Sequence, residues 1–95
     1  MAIFMVGYDL HEGEDYKELT DALQQYPKWW HCLDSTWLIV SLDTASRIRI
    51  DLRQHILDDD KLMVMRYGKT HAGKGANAAW FGFNKECRDW LYNIL

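Results

Sequence analysis

The sequence predicts one α+β domain with the ferredoxin-like βαββαβ order, a four-stranded antiparallel sheet and an additional C-terminal helix. Three observations support this prediction: four β-prone runs, two stretches of helical spacing that separate the outer runs from the inner two, and a short polar turn between the inner two. A chain of 95 residues allows a single hydrophobic core. We divide this one domain into a core over 1–67 and a C-terminal basic loop and helix over 68–95.

The first half of the pattern is a strand over 2–10 and a helix over 14–26. The run Ile3-Phe4-Met5-Val6 is typical of a central strand that is buried on both faces. Apolar residues at spacings of three and four predict the buried stripe of the helix, formed by Tyr16, Leu19, Leu23 and Tyr26. Pro27 ends this helix, because proline lacks an N–H and clashes with the preceding turn.

The second half begins with a hairpin of Lys28–Leu33 and Thr36–Ser41, joined by Asp34-Ser35. Asp43 or Thr44 can cap a helix that continues to about His55. The buried stripe of this helix consists of Ala45, Ile48, Leu52 and Ile56.

The fourth strand, Lys61 to Tyr67, completes the sheet after the acidic run Asp58-Asp59-Asp60. Both crossover helices are expected on one face of this sheet. Exposing apolar area on the other face costs roughly 25 cal/mol per Å². A second subunit or the remaining residues must therefore cover that face, and we expect a homodimer. The remaining residues are a Gly-rich basic loop, Gly68 to Gly75, and an amphipathic helix, Asn84 to Leu95.

Charge and cysteine content indicate the kind of partner and the cell compartment. Residues 1–60 carry five Lys/Arg against twelve Asp/Glu, whereas residues 61–95 carry six against two. The basic C-terminal third suits an anionic partner or a complementary subunit contact. Cys32 and Cys87 have no Cys-x-x-Cys partner, so we expect two reduced thiols that fill the core or an interface of a cytoplasmic protein. No apolar run is long enough to cross a membrane.

Asp9, at the end of the first strand, is the first candidate for chemistry. One carboxylate is too few for Mg²⁺ or Mn²⁺, but a twofold axis that brings two copies of Asp9 together would let them share an ion. The alternative is that Asp9 caps the following turn. His11, two residues later, is the best general-base candidate near Asp9, and a solvated loop histidine is the alternative.

The Gly-rich loop nearly matches the phosphate-binding pattern G-x-x-x-x-G-K-[ST], but Gly75 replaces the hydroxyl residue that would hold Mg²⁺. This departure argues against a nucleoside triphosphatase, and the loop is either a plain connection or a basic contact to phosphate or to a partner's acidic residues. Lys69, Lys74 and Arg66 are the candidates for binding phosphate or nucleic acid. A nucleotide sensor that uses Lys69 and Lys74 is a third functional hypothesis.

Three tryptophans of the hairpin, Trp29, Trp30 and Trp37, could stack on nucleobases. Packing in the core or an interface is the interpretation we favour, because each side chain buries a large apolar area.

The sequence resembles the Cas2 family of CRISPR-associated proteins, and within it a SinR-like branch. The resemblance spans nearly the whole chain and is carried by Tyr8-Asp9-Leu10, by the hairpin Trp29-Trp30-His31-Cys32-Leu33-Asp34-Ser35-Thr36-Trp37, and by Gly82-Phe83-Asn84 leading into Trp90-Leu91. The resemblance implies a homodimer whose sheets face each other. In this family the aspartate that matches Asp9 lies near the dimer axis and is the proposed metal ligand of a nuclease.

The resemblance thus implies a cytoplasmic, metal-dependent endonuclease that cleaves RNA or DNA with Mg²⁺ or Mn²⁺. Cas2 proteins also serve as scaffolds between Cas1-type integrase subunits. A non-catalytic dimeric scaffold in a CRISPR, phage-defence or mobile-element context is therefore the alternative function.

Overall fold

The computed structural model describes residues 1–11, 16–68 and 78–95. Its elements are β1 (Ala2–Asp9), α1 (Lys17–Leu23), β2 (Lys28–Leu33), β3 (Thr36–Ser41), α2 (Ala45–Arg53), β4 (Lys61–Arg66) and α3 (Lys85–Ile94). The strands form one antiparallel sheet in the order β2-β3-β1-β4. The α+β class, the βαββαβ order, the inner position of β1 and the C-terminal helix are confirmed.

The hairpin strands begin and end at the predicted residues, and Leu33 faces Thr36 across the turn. Thr44, one of the two predicted caps, accepts a hydrogen bond from the Arg47 backbone N–H at 3.2 Å and starts α2. The helix α1 ends at Leu23 rather than at residue 26. After Leu23 the chain continues as a tighter turn, in which the backbone N–H groups of Gln25 and Tyr26 each donate to the carbonyl three residues earlier. The predicted start of α1 at residue 14 lies outside the described residues.

The main core lies between one face of the sheet and the helices α1 and α2. Side chains alternate along β1, so Phe4, Val6 and Tyr8 are buried in this core, while Ile3 and Met5 on the opposite face are only half-buried. The expectation that β1 is buried on both faces therefore holds for one face. The other buried members of this core are Leu10, Leu19, Leu23, Trp37, Ile39, Ile48 and Leu52.

The second face of the sheet is covered by α3 over β2. The indole N–H of Trp30 donates a hydrogen bond to the Cys87 carbonyl at 3.1 Å, and the Phe83 ring packs edge-on against Trp30 with centroids 5.1 Å apart. Leu91 is buried in the same layer. The half of this face formed by β1 and β4 is left open, and we call it the open face.

The prediction that Cys32 and Cys87 are two separate reduced thiols is wrong, because they form a disulfide with their Cα atoms 6.4 Å apart. The physical reason is the return of α3 over β2, which brings two residues 55 positions apart within bridging distance. Among the described residues, no helix has the length and apolar character that a membrane crossing requires.

Candidate functional site

Asp9 is the last residue of β1 and lies directly opposite Lys61, the first residue of β4. Because β1 side chains alternate, Asp9 lies on the same side of the sheet as Met5 and Gly7, which is the open face. A small open depression next to it, of about 260 Å³, is lined in part by Gly7, Lys61 and Met63. The carboxylate is exposed at the rim of this depression.

Within the described part of the chain, the Asp9 carboxylate takes part in no hydrogen bond or ion pair. The turn-capping alternative needs a backbone N–H bonded to this carboxylate, and the described contacts contain none. Lys61 likewise forms no ion pair among these residues. Asp9 therefore combines a fixed position at a strand end with a carboxylate that is available to a ligand.

His11 contacts two acidic residues in the segment before β4. Its Nδ1 lies 2.7 Å from Oδ1 of Asp60, its backbone N–H donates to the same oxygen at 3.0 Å, and its Nε2 lies 3.0 Å from Oδ2 of Asp59. The Asp60 side chain is fully buried and also accepts a bond from the Leu57 N–H at 2.7 Å. Both ring nitrogens of His11 face carboxylate oxygens. This arrangement suits the imidazolium form, because it carries a hydrogen on each nitrogen.

The ligand atoms of His11, Asp59 and Asp60 lie within 4.8 Å of one another. An ion would need only one of the two His11 nitrogens, but in this structure each nitrogen faces a carboxylate oxygen, at 2.7 Å for Asp60 and 3.0 Å for Asp59. The arrangement is therefore an ion-pair cluster that ties the end of β1 to the segment before β4. No spacing in the sequence indicates that the end of β1 meets this segment, so the contact of His11 with the acidic run could not be predicted.

The basic candidates do not gather around Asp9. Arg66 lies opposite Phe4 on β4, five residues from the Asp9–Lys61 pair, or about 17 Å along the strands at 3.3 Å per residue. Lys69 and Lys74 lie outside the described residues. Arg66 instead lines a cleft at the other end of the sheet, together with Lys28.

The tryptophans behave mainly as packing residues, as predicted. Trp30 and Trp37 are 5% and 1% exposed, so neither offers a ring face to a nucleobase, whereas Trp29 is 40% exposed. The Trp37 indole N–H donates to the Tyr8 hydroxyl at 3.1 Å, and the ring of His31 stacks on Trp37 with centroids 4.0 Å apart. Burial raises the pKa of Tyr8 above its ordinary value.

Two methionines make the open face apolar beside Asp9. Met63 lies opposite Gly7 and Met65 opposite Met5, and their side chains are 58% and 51% exposed. Large apolar side chains grouped on one sheet face mark an interaction surface more often than isolated ones do. The exposed carboxylate thus stands at the edge of an apolar patch.

Comparison with protein-family models, with curated proteins and with solved structures yields no match to this chain.

Proposed function

We propose that this chain is a Cas2-like homodimer that associates with RNA or DNA and cleaves phosphodiester bonds with Mg²⁺ or Mn²⁺. The observation that carries the proposal is the Asp9 carboxylate, which is exposed at the end of β1 and free of hydrogen bonds and ion pairs within the described residues. An unsatisfied carboxylate at a strand end is available to a divalent cation or to water.

The dimer is needed because one Asp9 supplies too few oxygens for a hard cation. Pairing of two open faces about a twofold axis would bury Met63 and Met65 of both subunits. Such pairing is isologous, so residues close to the axis meet their own copies. Two Asp9 carboxylates near the axis would then hold one ion between them, and their mutual repulsion would be relieved by that ion.

The residues near Asp9 have complementary roles in the proposed reaction. A bound Mg²⁺ or Mn²⁺ supplies Lewis-acid activation of water and of the phosphodiester. Asp9 orients the ion, and the ammonium group of Lys61, directly opposite Asp9, offsets negative charge on the phosphate. His11 is the proposed proton donor to the leaving group: as an imidazolium it carries a proton on Nε2, which faces the exposed Asp59, while the buried Asp60 holds Nδ1.

A non-catalytic dimeric scaffold is the second candidate. It is favoured by Phe81, which is 97% exposed, and by the 71% exposed Tyr92 on α3, because exposed aromatic side chains suit a protein partner. In a CRISPR or other phage-defence or mobile-element context, a Cas1-type integrase is the proposed partner.

The proposed location is the cytoplasm, where the nucleic-acid substrate is found. Cytosolic disulfides are usually transient or catalytic, so the Cys32–Cys87 bond is then expected to cycle with the redox state. Alkylation of thiols in intact cells, followed by mass measurement, reports the fraction of the bond that is formed. A bond that is always complete in rapidly quenched cells would contradict this location.

The test is cleavage of labelled RNA and DNA by purified protein with Mg²⁺, with Mn²⁺ or with EDTA. We expect metal-dependent cleavage that falls at least 100-fold in Asp9→Asn. The matched control is Asp58→Asn, which removes a carboxylate that is 99% exposed and pairs with Arg53. Equal activity of Asp9→Asn and the wild type would contradict the catalytic role, and the absence of cleavage in both would favour the scaffold.

A further inference from the structure

A groove between α1 and α2 has a volume of about 520 Å³ and lies on the helical side of the sheet, away from the open face. This volume is in the range of small-molecule sites. The floor of the groove is apolar, because Leu52 is 1% exposed and both Ala22 and Tyr26 are packed against the core. The rim carries three solvent-accessible carboxylates, those of Glu18, Asp21 and Asp51.

The two helices hold these carboxylates at separate points along the groove. Oε1 of Glu18 lies 3.0 Å from Nδ1 of His55, which joins the first turn of α1 to the residues that follow α2. His55 comes one helical turn after Asp51, so Glu18 and Asp51 are separated by about 6 Å along the groove at 1.5 Å per residue. Asp21 follows Glu18 at a spacing of three residues, on the same side of α1. The carboxylates are therefore distributed along the groove and do not converge on one point.

The lining of the groove is negatively charged. Among the described residues it contains no lysine or arginine. Lys17 donates to Oδ2 of Asp21 at 2.6 Å, from outside the lining. Arg47 lies 3.3 Å from Oδ1 of Asp51, likewise from outside. Exposed ion pairs of this kind contribute little, because water screens the charges.

Each carboxylate of the rim keeps one oxygen for a ligand. The ion pairs use Oε1 of Glu18, Oδ2 of Asp21 and Oδ1 of Asp51. Within the described part of the chain, the second oxygen of each carboxylate accepts no hydrogen bond. A carboxylate can accept several hydrogen bonds, so a cation in the groove can bind without breaking the existing pairs.

The phenol of Tyr26 indicates that the negative potential reaches the floor. Burial is the main cause that raises the pKa of Tyr26, and the carboxylates of Asp51 and Asp43 raise it further. Nearby carboxylates have this effect because they disfavour a second negative charge. The groove therefore combines an apolar floor with a negative potential, which is the environment that a cation with a hydrocarbon body requires.

We propose that this groove binds an aliphatic polyamine. Its ammonium groups donate charge-assisted hydrogen bonds to the second oxygens of Glu18, Asp21 and Asp51. The methylene chains between them lie on Leu52 and Ala22, as the stem of a lysine side chain lies on an apolar surface. A hydrated Mg²⁺ ion matches the groove less well, because it needs several oxygens around one point. This binding goes beyond the proposed cleavage at Asp9.

The test is calorimetric titration with spermidine at pH 7.5 and low salt, without divalent metal. We expect saturable binding, with Mg²⁺ titrated separately and octylamine each at least tenfold weaker, because Mg²⁺ lacks the hydrocarbon chain and octylamine lacks the additional charges. Trilysine with blocked ends has the same charge as spermidine and tests for a basic protein partner. It is also expected to bind at least tenfold more weakly, because its backbone does not fit between the two helices. The result does not depend on cleavage at Asp9, since the spermidine titration contains no metal.

The variants assign the binding to the groove. Asp21→Asn and Asp51→Asn are each expected to weaken binding at least threefold, and the double variant at least tenfold. Asp89→Asn is the matched control, because Asp89 also pairs with a lysine one turn away, Lys85 at 2.7 Å, but lies on α3. Its affinity is expected to equal that of the wild type.

A substitution in the floor tests the apolar contact without a change of charge. Ala22→Met extends a side chain into the groove and is expected to weaken binding at least fivefold, with circular dichroism showing that the variant is folded. The proposal would be overturned by the absence of saturable binding or by equal affinities of Asp21→Asn/Asp51→Asn and Asp89→Asn. Binding of Mg²⁺, octylamine or the blocked trilysine as tight as that of spermidine would also overturn it.

Discussion

The disulfide between Cys32 and Cys87 fastens the first turn of α3 to the edge strand β2. The same junction contains the hydrogen bond from Trp30 to the Cys87 carbonyl and the edge-on contact of Trp30 with Phe83. This junction holds α3 over β2, so the part of the same sheet face that is farthest from β2 stays open. The open half is the one that carries Asp9, Met63 and Met65.

Removal of the disulfide is expected to lower the free energy of unfolding by up to about 4 kcal/mol, since it closes a loop of 55 residues in the unfolded chain. The measurement is urea unfolding of the oxidised wild type, of the wild type in reducing agent and of Cys32→Ser/Cys87→Ser. The reduced wild type and the double variant should agree. Equal stability of all three proteins would show that the bond does not constrain the chain.

The hydrogen bond from Trp37 to Tyr8 predicts a stability loss in Tyr8→Phe of about 1–3 kcal/mol, because the buried indole N–H loses its acceptor. Tyr92→Phe removes an exposed hydroxyl and is the matched control. Denaturant unfolding at pH 7 compares the two. A Tyr8→Phe protein as stable as the Tyr92→Phe protein would contradict the assigned bond.

Stability is expected to fall in alkaline solution. Burial is the main cause that raises the pKa of Tyr8, and it also raises that of Tyr26, for which Asp51 and Asp43 add to the effect. The folded state therefore favours the neutral phenols. This contribution is fully present below the ordinary pKa of 10.0 and is lost as pH rises from there through the raised values.

Unfolding free energies measured between pH 8 and pH 11 test this dependence. The decline above pH 10 should be shallower in Tyr26→Phe than in the wild type, with Tyr92→Phe as the control. An unchanged slope in Tyr26→Phe would contradict the assignment.

The N-cap of α2 provides a local test of the fold. Thr44→Ala removes the acceptor of the Arg47 N–H and is expected to cost about 1 kcal/mol. Ser46→Ala changes an exposed hydroxyl in the first turn of the same helix, and we expect almost no effect. Thermal unfolding monitored by circular dichroism compares the two, and equal melting temperatures would show that the cap contributes nothing.

The open face predicts how the chain associates. Met63→Asp places a charge in the apolar patch beside Asp9 and is expected to abolish self-association. Ile50→Asp charges an exposed apolar position on α2, on the other side of the molecule, and should leave association unchanged. Sedimentation equilibrium measures both, and a Met63→Asp protein that associates like the wild type would exclude this face as the interface.

The strands could be predicted from the sequence because local signals mark their ends. Pro27 and the turn Asp34-Ser35 define β2 and β3 to the residue, and alternation identifies β4, which ends at Arg66, one residue before the predicted Tyr67. The prediction of where α1 ends was less accurate, because no particular residue marks the point at which the last turn before Pro27 tightens.

The candidate site was less predictable, because its relationships join residues distant in sequence. Asp9 could be identified from its position at the end of an apolar run, but its register partner Lys61 depends on strand pairing. The contacts of His11 with Asp59 and Asp60 and the bond between Cys32 and Cys87 depend on how segments return to one another. No spacing in a single sequence carries that information.

In the proposed site, two copies of Asp9 share one divalent ion across a twofold axis. Titration of the purified protein with Mn²⁺, followed by calorimetry at concentrations where sedimentation gives its mass, measures whether the ion is shared. We expect a dimer that binds half an ion per chain and an Asp9→Asn dimer that binds none at this site. A monomer at all concentrations, or Mn²⁺ binding that is unchanged in Asp9→Asn, would contradict it.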